Sequence, residues 1–383
     1  MKSFRARTLS SIPHLAMLLV MLFAAEHMVA ATYYVGACKV GSYNTIQAAV
    51  NAVPAGSTID VCPGTYAEQV TISTPLTLKA ISVGNSSQAI IAISATGLST
   101  TVSEYFGTVA PQVEVTAGPV NITGITVDGS AGAGNCPSVN YIGIYYGNGS
   151  SGTVNDAQVR NQNCQTGPNG IGIAAESTGT STQTVTIENN NLSNNNYVGI
   201  FATCECSQTQ PTLSALITNN YLSNQNQGIV DFNVGGKVEE NFINNNGTGI
   251  STTSPLSPVS GNTVIGGGYG ILLFSFEGNI TVTGNTVNGA AYGMAVESAS
   301  TVTSNRITNA SYYGIWLYTA GATVKGNTIT QSNVGIDLGC NANTVTGNTI
   351  DGSQLGLSYV PATFNGVNNF YNVATVSSSL CGR

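Results

Sequence analysis

Four charged residues of this chain have the types and spacing that acid–base chemistry requires. Asp231 stands six residues before Lys237, and Glu297 stands nine residues before Arg306. β-Elimination at a uronic acid needs a base that removes a proton and carboxylates that hold Ca²⁺ against the sugar carboxyl group. We therefore treat Asp231, Lys237, Glu297 and Arg306 as candidate catalytic residues. The alternative is that each one is solvated surface charge, which is common and contributes little.

Whether histidine can take part in the chemistry depends on whether the N-terminal segment is removed. His14 and His27 are the only histidines, and both lie within residues 1–31. That segment joins basic residues to the apolar run 15–25 and then to small residues, the pattern of a signal peptide. A retained membrane anchor is the alternative. If the segment is removed, Ser-His-Asp and Cys-His sites lose their base. We expect a secreted, periplasmic or cell-surface protein whose mature domain spans residues 32–383.

The composition is that of a strand-rich chain with an acidic surface. Hydrophobic residues make up 42% of the chain, charged residues only 7%, and there are 45 glycines. Residues 1–31 hold three of the ten Lys and Arg and one of the seventeen Asp and Glu, so their removal changes the net charge from −7 to −9. Nucleic acid is therefore a poor partner, because phosphate binding needs a basic surface. No later segment has the apolar length of a membrane span.

Eight cysteines follow the N-terminal segment, and an even number in an exported chain indicates disulfides. Proximity along the chain favours three pairs: Cys38–Cys62, Cys136–Cys164 and Cys340–Cys381. Cys204 and Cys206 remain, and a bond across one intervening residue would force a strained ring. A metal at that pair would lack a histidine ligand, so we expect no metal site.

A Gly-Ile-like step recurs along most of the chain. From Gly228 onward the intervals between these glycines are 21, 21, 23, 21, 21 and 21 residues, ending at Gly356. A fixed period of this size indicates a solenoid in which each coil covers the apolar face of the next. We expect regular coils from about residue 213 to residue 360. Longer intervals before Gly228 predict turns that bulge outward.

An asparagine precedes most of these glycines by eight or nine residues. Eight consecutive coils share it: Asn190, Asn220, Asn241, Asn262, Asn285, Asn305, Asn327 and Asn348. Stacked at the strand spacing of roughly 4.8 Å, their amides can form hydrogen bonds from coil to coil. The alternative is turn propensity, because asparagine tolerates the left-handed conformation.

Side chains alternate along a strand, so each glycine defines which neighbours face outward. The second and fourth residues after a glycine should face solvent, and from them we select candidate substrate-binding residues: Phe232, Phe274, Glu297, Trp316, Tyr318 and Asp337. Exposed aromatic rings beside carboxylates suit stacking on sugar rings with hydrogen bonds to hydroxyls. Alternatively, an overlying loop covers the rings, or they pack only on one another. Asp231, the third residue after its glycine, should be buried, which is costly for a carboxylate.

The pattern resembles the secreted right-handed parallel β-helix proteins of the pectate-lyase-like superfamily over about residues 45–360. The stretch "TIQAAVNAVPAGSTIDVCPGTYAEQVTI", residues 45–72, is also similar to the opening of such proteins. There, Thr45–Val53 would form a short amphipathic helix that covers the first coil. The resemblance implies an all-β, single-stranded, right-handed parallel β-helix of about a dozen coils with a short N-terminal capping helix.

Fold does not settle function. The Asn-Thr-Asp, Asp-Asp and Gly-His-Gly motifs of related hydrolases and the Asp-Pro-His-Asp motif of related epimerases do not occur in this sequence. We expect a monomer without a cofactor that binds an extracellular carbohydrate polymer, with catalysis left open. One alternative is a Ca²⁺-dependent lyase acting on an acidic polysaccharide, which a cleft of convergent carboxylates and bases would favour. The other is an adhesin-like spacer, which a uniform Thr, Ser and Asn surface would favour.

Overall fold

The computed structural model describes residues 31–83, 88–132, 139–163, 170–179, 181–275, 278–378 and residue 381. The predicted signal segment lies outside these residues except for Ala31, and the predicted pair Cys136–Cys164 lies outside them entirely. Within the described residues the chain forms three long sheets. Neighbouring strands of each sheet come from successive coils and pair in parallel, apart from one short antiparallel strand.

Sheet 1 has 13 strands: Thr32–Val35, Ser57–Val61, Leu76–Ala80, Val120–Thr123, Gly152–Asn155, Gln183–Glu188, Leu213–Thr218, Gly235–Glu239, Val259–Ser260, Thr281–Thr283, Thr301–Thr303, Thr323–Lys325 and Thr344–Thr346. Sheet 2 also has 13 strands: Gly64–Ala67, Ala89–Ala92, Thr126–Asp128, Gln158–Arg160, Asn191–Ser193, Tyr221–Ser223, Phe242–Asn244, Thr263–Ile265, Thr286–Asn288, Arg306–Thr308, Thr328–Thr330, Thr349–Asp351 and Asn369–Tyr371.

Sheet 3 has 14 strands. Thirteen pair in parallel: Val70–Ile72, Gly107–Val115, Asn140–Tyr146, Gly170–Ser177, Val198–Cys204, Gln227–Phe232, Thr248–Thr252, Tyr269–Leu273, Tyr292–Val296, Tyr313–Leu317, Val334–Asp337, Leu355–Ser358 and Thr375–Ser377. The remaining strand, Thr101–Ser103, pairs antiparallel with the beginning of Gly107–Val115. A short 3₁₀ turn covers Ser130–Gly132.

The 21-residue repeat of the sequence becomes the register between coils. In sheet 2, Ile329 pairs with Ile350, and both side chains lie fully buried inside the solenoid. Each buried side chain of this size contributes about 1.5–3 kcal/mol relative to exposure. Repetition of this pairing through three parallel sheets confirms the predicted right-handed parallel β-helix.

Asparagine side chains join the coils at one corner of the solenoid. The Nδ2 of Asn285 lies 3.0 Å from the Oδ1 of Asn305, and the same contact of 2.9–3.0 Å links nine successive residues: Asn190, Asn220, Asn241, Asn262, Asn285, Asn305, Asn327, Asn348 and Asn368. In each step the backbone N–H of the earlier asparagine also donates to the later Oδ1. We call this row the asparagine ladder. Its last member, Asn368, extends it one coil beyond the eight residues selected from the sequence.

A short helix closes the N-terminal end, as predicted. It spans Ile46–Ala52, and the Thr45 side chain caps it by accepting from the N–H of Ala48 at 3.1 Å. Its buried face consists of Ile46, Ala49 and Val50, and Val53, which follows the last helical residue, is also buried, as the spacing predicts. The Glu68 carboxylate accepts hydrogen bonds from the N–H groups of Ile46 and Gln47, in the first turn of the helix, at 2.8 and 2.9 Å. These N–H groups have no partner within the helix, and negative charge stabilises a helix N-terminus.

The described cysteines are all bonded. The predicted pairs Cys38–Cys62 and Cys340–Cys381 are present, with Cα atoms 5.8 and 5.4 Å apart. Cys204 and Cys206, which the sequence left unassigned because a bond between them would close a strained ring, also form a disulfide. Cys204 ends a strand and the chain bends immediately after it, which leaves the two Cα atoms 5.2 Å apart. Two bonded sulfurs offer no thiolate to a metal.

A segment that the sequence did not predict lies across the outer face of sheet 3. Residues 101–107, here called the strap, form a hairpin with the strand Gly107–Val115. The ring of Tyr105 lies 5.5 Å from that of Phe201, and Phe106 meets Phe201 edge-on at 4.9 Å. No helix among the described residues is long and apolar enough to cross a membrane.

Candidate functional site

The outer face of sheet 3 between residues 269 and 359 carries most of the predicted substrate-binding residues. We call it the open face. In the strand register Trp316 stands between Ala295 and Asp337 of the neighbouring coils. The N–H groups of Glu297 and Tyr318 donate to the preceding coil at 2.7 and 2.9 Å, which places these two residues on consecutive coils. Because side chains alternate along each strand, Glu297, Trp316 and Tyr318 face outward, as the spacing predicts.

A second aromatic row on the open face was missed by the sequence reasoning. Tyr269, Tyr292 and Tyr313 each precede a coil glycine and pair with one another across successive strands. The rings of Tyr269 and Tyr292 stack at 4.8 Å, and those of Tyr292 and Tyr313 lie 5.8 Å apart. Three Tyr-Gly pairs at the solenoid period were the signal that could have revealed this row.

The tyrosine row and the predicted residues Trp316 and Tyr318 come together at the indole of Trp316. Its ring lies 5.4 Å from that of Tyr292, 6.4 Å from that of Tyr313 and 5.3 Å from that of Tyr318. Together with residues from the next two coils they border a groove of about 400 Å³. Eight residues line it: Tyr292, Tyr313, Trp316, Tyr318, Asp337, Gly339, Cys340 and Tyr359. Tyr318 is 60% exposed and Tyr312 stands beside Tyr292 at 5.5 Å, so the aromatic surface continues beyond the groove.

Asp337 is the charged residue of the groove lining. Its side chain points outward as predicted, but the surrounding rings leave it only 2% exposed. The N–H of Gly339 donates to its Oδ1 at 2.8 Å. Burial raises the pKa of Asp337, and the Ser358 hydroxyl, the Gly339 N–H and the Tyr313 hydroxyl partly offset this effect. Burial likewise raises the pKa of Tyr313, and the nearby negative charge of Asp337 adds to it.

The strap covers part of the same sheet face on the N-terminal side of the open face. Phe232, a predicted substrate-binding residue, packs against Tyr105 with ring centroids 5.7 Å apart, so it belongs to this covered part. Glu176 anchors the strap by accepting from the Ser103 hydroxyl and from the N–H groups of Glu104 and Tyr105. Covering by a loop, an alternative raised by the sequence, thus applies to Phe232. Phe274 is half-buried and does not line the groove.

The predicted catalytic residues do not come together. Asp231 points into the core of the solenoid from sheet 3 and is fully buried. Lys237 lies in sheet 1 and forms a salt bridge of 2.6 Å with Glu239. Arg306 projects from sheet 2, and Glu297 follows a strand of sheet 3. Alternation along short strands sends these four side chains in different directions, so the sequence pairs Asp231–Lys237 and Glu297–Arg306 do not form a cleft.

Comparison with known proteins supports the fold and leaves the activity open. A family model described as periplasmic copper-binding protein (NosD) matches residues 205–379, which is less than half of the chain. No curated protein matches the sequence.

The solved structures that are similar in fold include the following two. A lacto-N-biosidase of family GH136 from Eubacterium ramulus has a TM-score of 0.57 at 10% identity, with 89% of this chain and 68% of the other covered. A double mutant of the tailspike protein of E. coli bacteriophage HK620 has a TM-score of 0.50 at 14% identity, with 87% of this chain and 62% of the other covered. At these identities the likeness shows the fold alone.

The residues of the matched region do not fit a copper site. Copper is bound in proteins by imidazole, thiolate and thioether ligands. Residues 205–379 contain no histidine, and their single methionine, Met294, is fully buried in the core. Their cysteines, Cys206 and Cys340, are in disulfides. Across the described residues, no group of three or more His, Cys, Asp or Glu could hold a metal ion.

Proposed function

We propose that this protein is an exported β-helix protein that binds a carbohydrate polymer in the groove of its open face. The observation that carries the proposal is the convergence of Tyr292, Tyr313, Trp316 and Tyr318 around one groove with a carboxyl group in its lining. Flat aromatic surfaces stack on the apolar faces of sugar rings, and polar groups between them fix the hydroxyls. Neither a featureless Thr, Ser and Asn surface nor a lyase cleft fits this arrangement as well.

The solenoid repeat suits a polymeric ligand. Tyrosines on successive coils recur at the strand spacing, roughly 4.8 Å, so stacking surfaces are offered repeatedly along one direction. The strap covers the same face on the N-terminal side, so a chain bound along the solenoid axis would begin on the coils after it. One of the structures of similar fold is a lacto-N-biosidase, which is consistent with carbohydrate recognition on this fold.

Export is part of the proposal. The N-terminal pattern of a signal peptide, the disulfides and the partial match to a family described as periplasmic all favour a secreted or periplasmic location.

We expect the Trp316→Ala substitution to weaken carbohydrate binding at least about 10-fold, because it removes the ring at the centre of the groove and about 1.4 kcal/mol corresponds to that factor. Affinity should be measured by isothermal titration calorimetry with the ligands that bind in a panel of neutral and acidic polysaccharides. Tyr221→Ala is the matched control, because Tyr221 also stacks on a neighbouring ring and is 41% exposed but lies in sheet 2. Equal affinity of Trp316→Ala and the wild type for every ligand would contradict the proposal, as would a panel without any ligand.

A further inference from the structure

The outer faces of the solenoid differ in the charges that they carry. The described chain has six Lys and Arg residues, and none of them is in sheet 3: Lys39, Lys79, Arg160, Lys237, Arg306 and Lys325. Two of them are paired, Arg160 with Asp128 at 2.8 Å and Lys237 with Glu239 at 2.6 Å. Lys39 lies over the ring of Tyr34 near the N-terminus.

Among the described residues, the charged groups of the open face are all acidic. Asp337 lines the groove, and exposed Glu297 stands one coil before the lining residue Tyr318. We infer that the groove selects uncharged sugar units and discriminates against uronic acids. This inference rests on the proposed function and names the class of sugar that the same site takes.

The physical reason is that a uronate would bring a carboxylate to a site where the described residues offer no positive partner. Burying a charge is costly unless a counter-charge or hydrogen-bond donors replace its hydration. Repulsion from Asp337 and Glu297 adds to that cost, and like charges across an interface disfavour the wrong partner strongly. A bridging cation would relieve the repulsion, but the described residues contain no cluster of acidic ligands that could hold one.

A neutral sugar fits the same groups. Its hydroxyls can donate to the carboxyl oxygens of Asp337 and Glu297, and hydrogen bonds to an ionised acceptor are about twice as strong as neutral ones. The tyrosine hydroxyls around the groove donate and accept, so they match sugar hydroxyls in either role. The aromatic faces of Tyr292 and Trp316 stack equally well on any pyranose with an apolar face, so charge is what discriminates between sugars here.

The test compares each uronate-containing polysaccharide with its own carboxyl-reduced derivative, in which the backbone and linkages are unchanged. We expect the reduced, neutral form to bind wild-type protein at least 10-fold more tightly than its parent at low ionic strength. The preference should shrink as salt is added, because charge interactions near a surface are screened.

Glu297→Lys is the informative variant, since this side chain is exposed and its replacement should not disturb the fold. It should improve binding of the parent uronate relative to the neutral form by several-fold.

The outcomes separate the two proposals. If uronates bind at least as tightly as their reduced forms and Trp316→Ala abolishes that binding, the inference on charge is wrong and the binding groove stands. If neither form binds, or if binding of both survives Trp316→Ala, the proposed function fails and the inference fails with it. Glu297→Gln controls for loss of the side chain's hydrogen bonds without reversal of its charge.

Discussion

Replacing Asp231 by Asn is expected to stabilise the protein at pH 8 by on the order of 4 kcal/mol and to leave it nearly unchanged at pH 4. The Asp231 side chain is fully buried inside the solenoid, where the hydroxyls of Thr252 and Ser254 lie 3.2 Å from its carboxyl oxygens. Burial raises the pKa of Asp231 to about 7, and nearby hydroxyls offset part of that effect. Each unit of pKa shift corresponds to about 1.4 kcal/mol.

The direction of this pH dependence follows from the linkage between proton binding and folding. The folded protein holds a proton on Asp231 between about pH 4 and pH 7, whereas the unfolded chain does not. Stability from this group is therefore highest below about pH 4 and falls as the pH rises towards 7. Asn cannot ionise, so the difference in unfolding free energy between variant and wild type should grow over that window and then level off.

Urea unfolding of both proteins at a series of pH values measures this difference. Asp351→Asn is the control, because this carboxyl group lies on the outer side of sheet 2 and accepts a hydrogen bond from Asn372 at 2.9 Å near solvent. A difference for Asp231→Asn that stays constant from pH 4 to pH 8 would show that the buried carboxyl group does not titrate in this range.

Replacing Asn285 by Ala is expected to destabilise the protein by about 3 kcal/mol. The Oδ1 of Asn285 accepts from both the backbone N–H and the Nδ2 of Asn262, each at 2.9 Å, and all of these atoms are buried. Its Nδ2 donates to Val259, Thr283 and Asn305. Truncation leaves several of these partners unsatisfied, and each buried unsatisfied group costs roughly 1–3 kcal/mol unless water enters.

Asn288→Ala provides the comparison for the ladder. Asn288 lies three residues further along the same coil, is exposed and forms one amide hydrogen bond, with Asn309 at 3.1 Å. Its replacement should change the free energy of unfolding by less than about 0.5 kcal/mol, as is usual for surface positions. If chemical denaturation gives similar values for the two variants, the buried amides act only through turn propensity.

The fold could be predicted because its determinants are local and repeated. A 21-residue period translates directly into parallel register, as the pairing of Ile329 with Ile350 shows, and period-two alternation then assigns each side chain to the inside or outside. The capping helix was also readable, since Thr45 and the spacing of Ile46, Ala49 and Val50 are short-range signals.

The candidate site could be predicted only in part. Trp316, Tyr318 and Asp337 follow from strand alternation, and Tyr292 and Tyr313 would have followed from the same period. The strap occurs once, so no sequence period predicts it. Its contact with Glu176 joins that residue to Ser103, which is 73 residues away in sequence. The catalytic pairs failed because closeness in sequence does not imply closeness in space where one coil passes through three sheets.

Whether carbohydrate binds in the groove can be measured with the fluorescence of the protein's one tryptophan, Trp316. A single indole in the groove lining reports on that place alone. We predict that titration with a neutral oligosaccharide changes the emission in a saturable way, with the same midpoint that calorimetry gives for binding. Calorimetric binding of such a ligand without any change in the emission of Trp316 would place the carbohydrate outside the groove and overturn the proposed site.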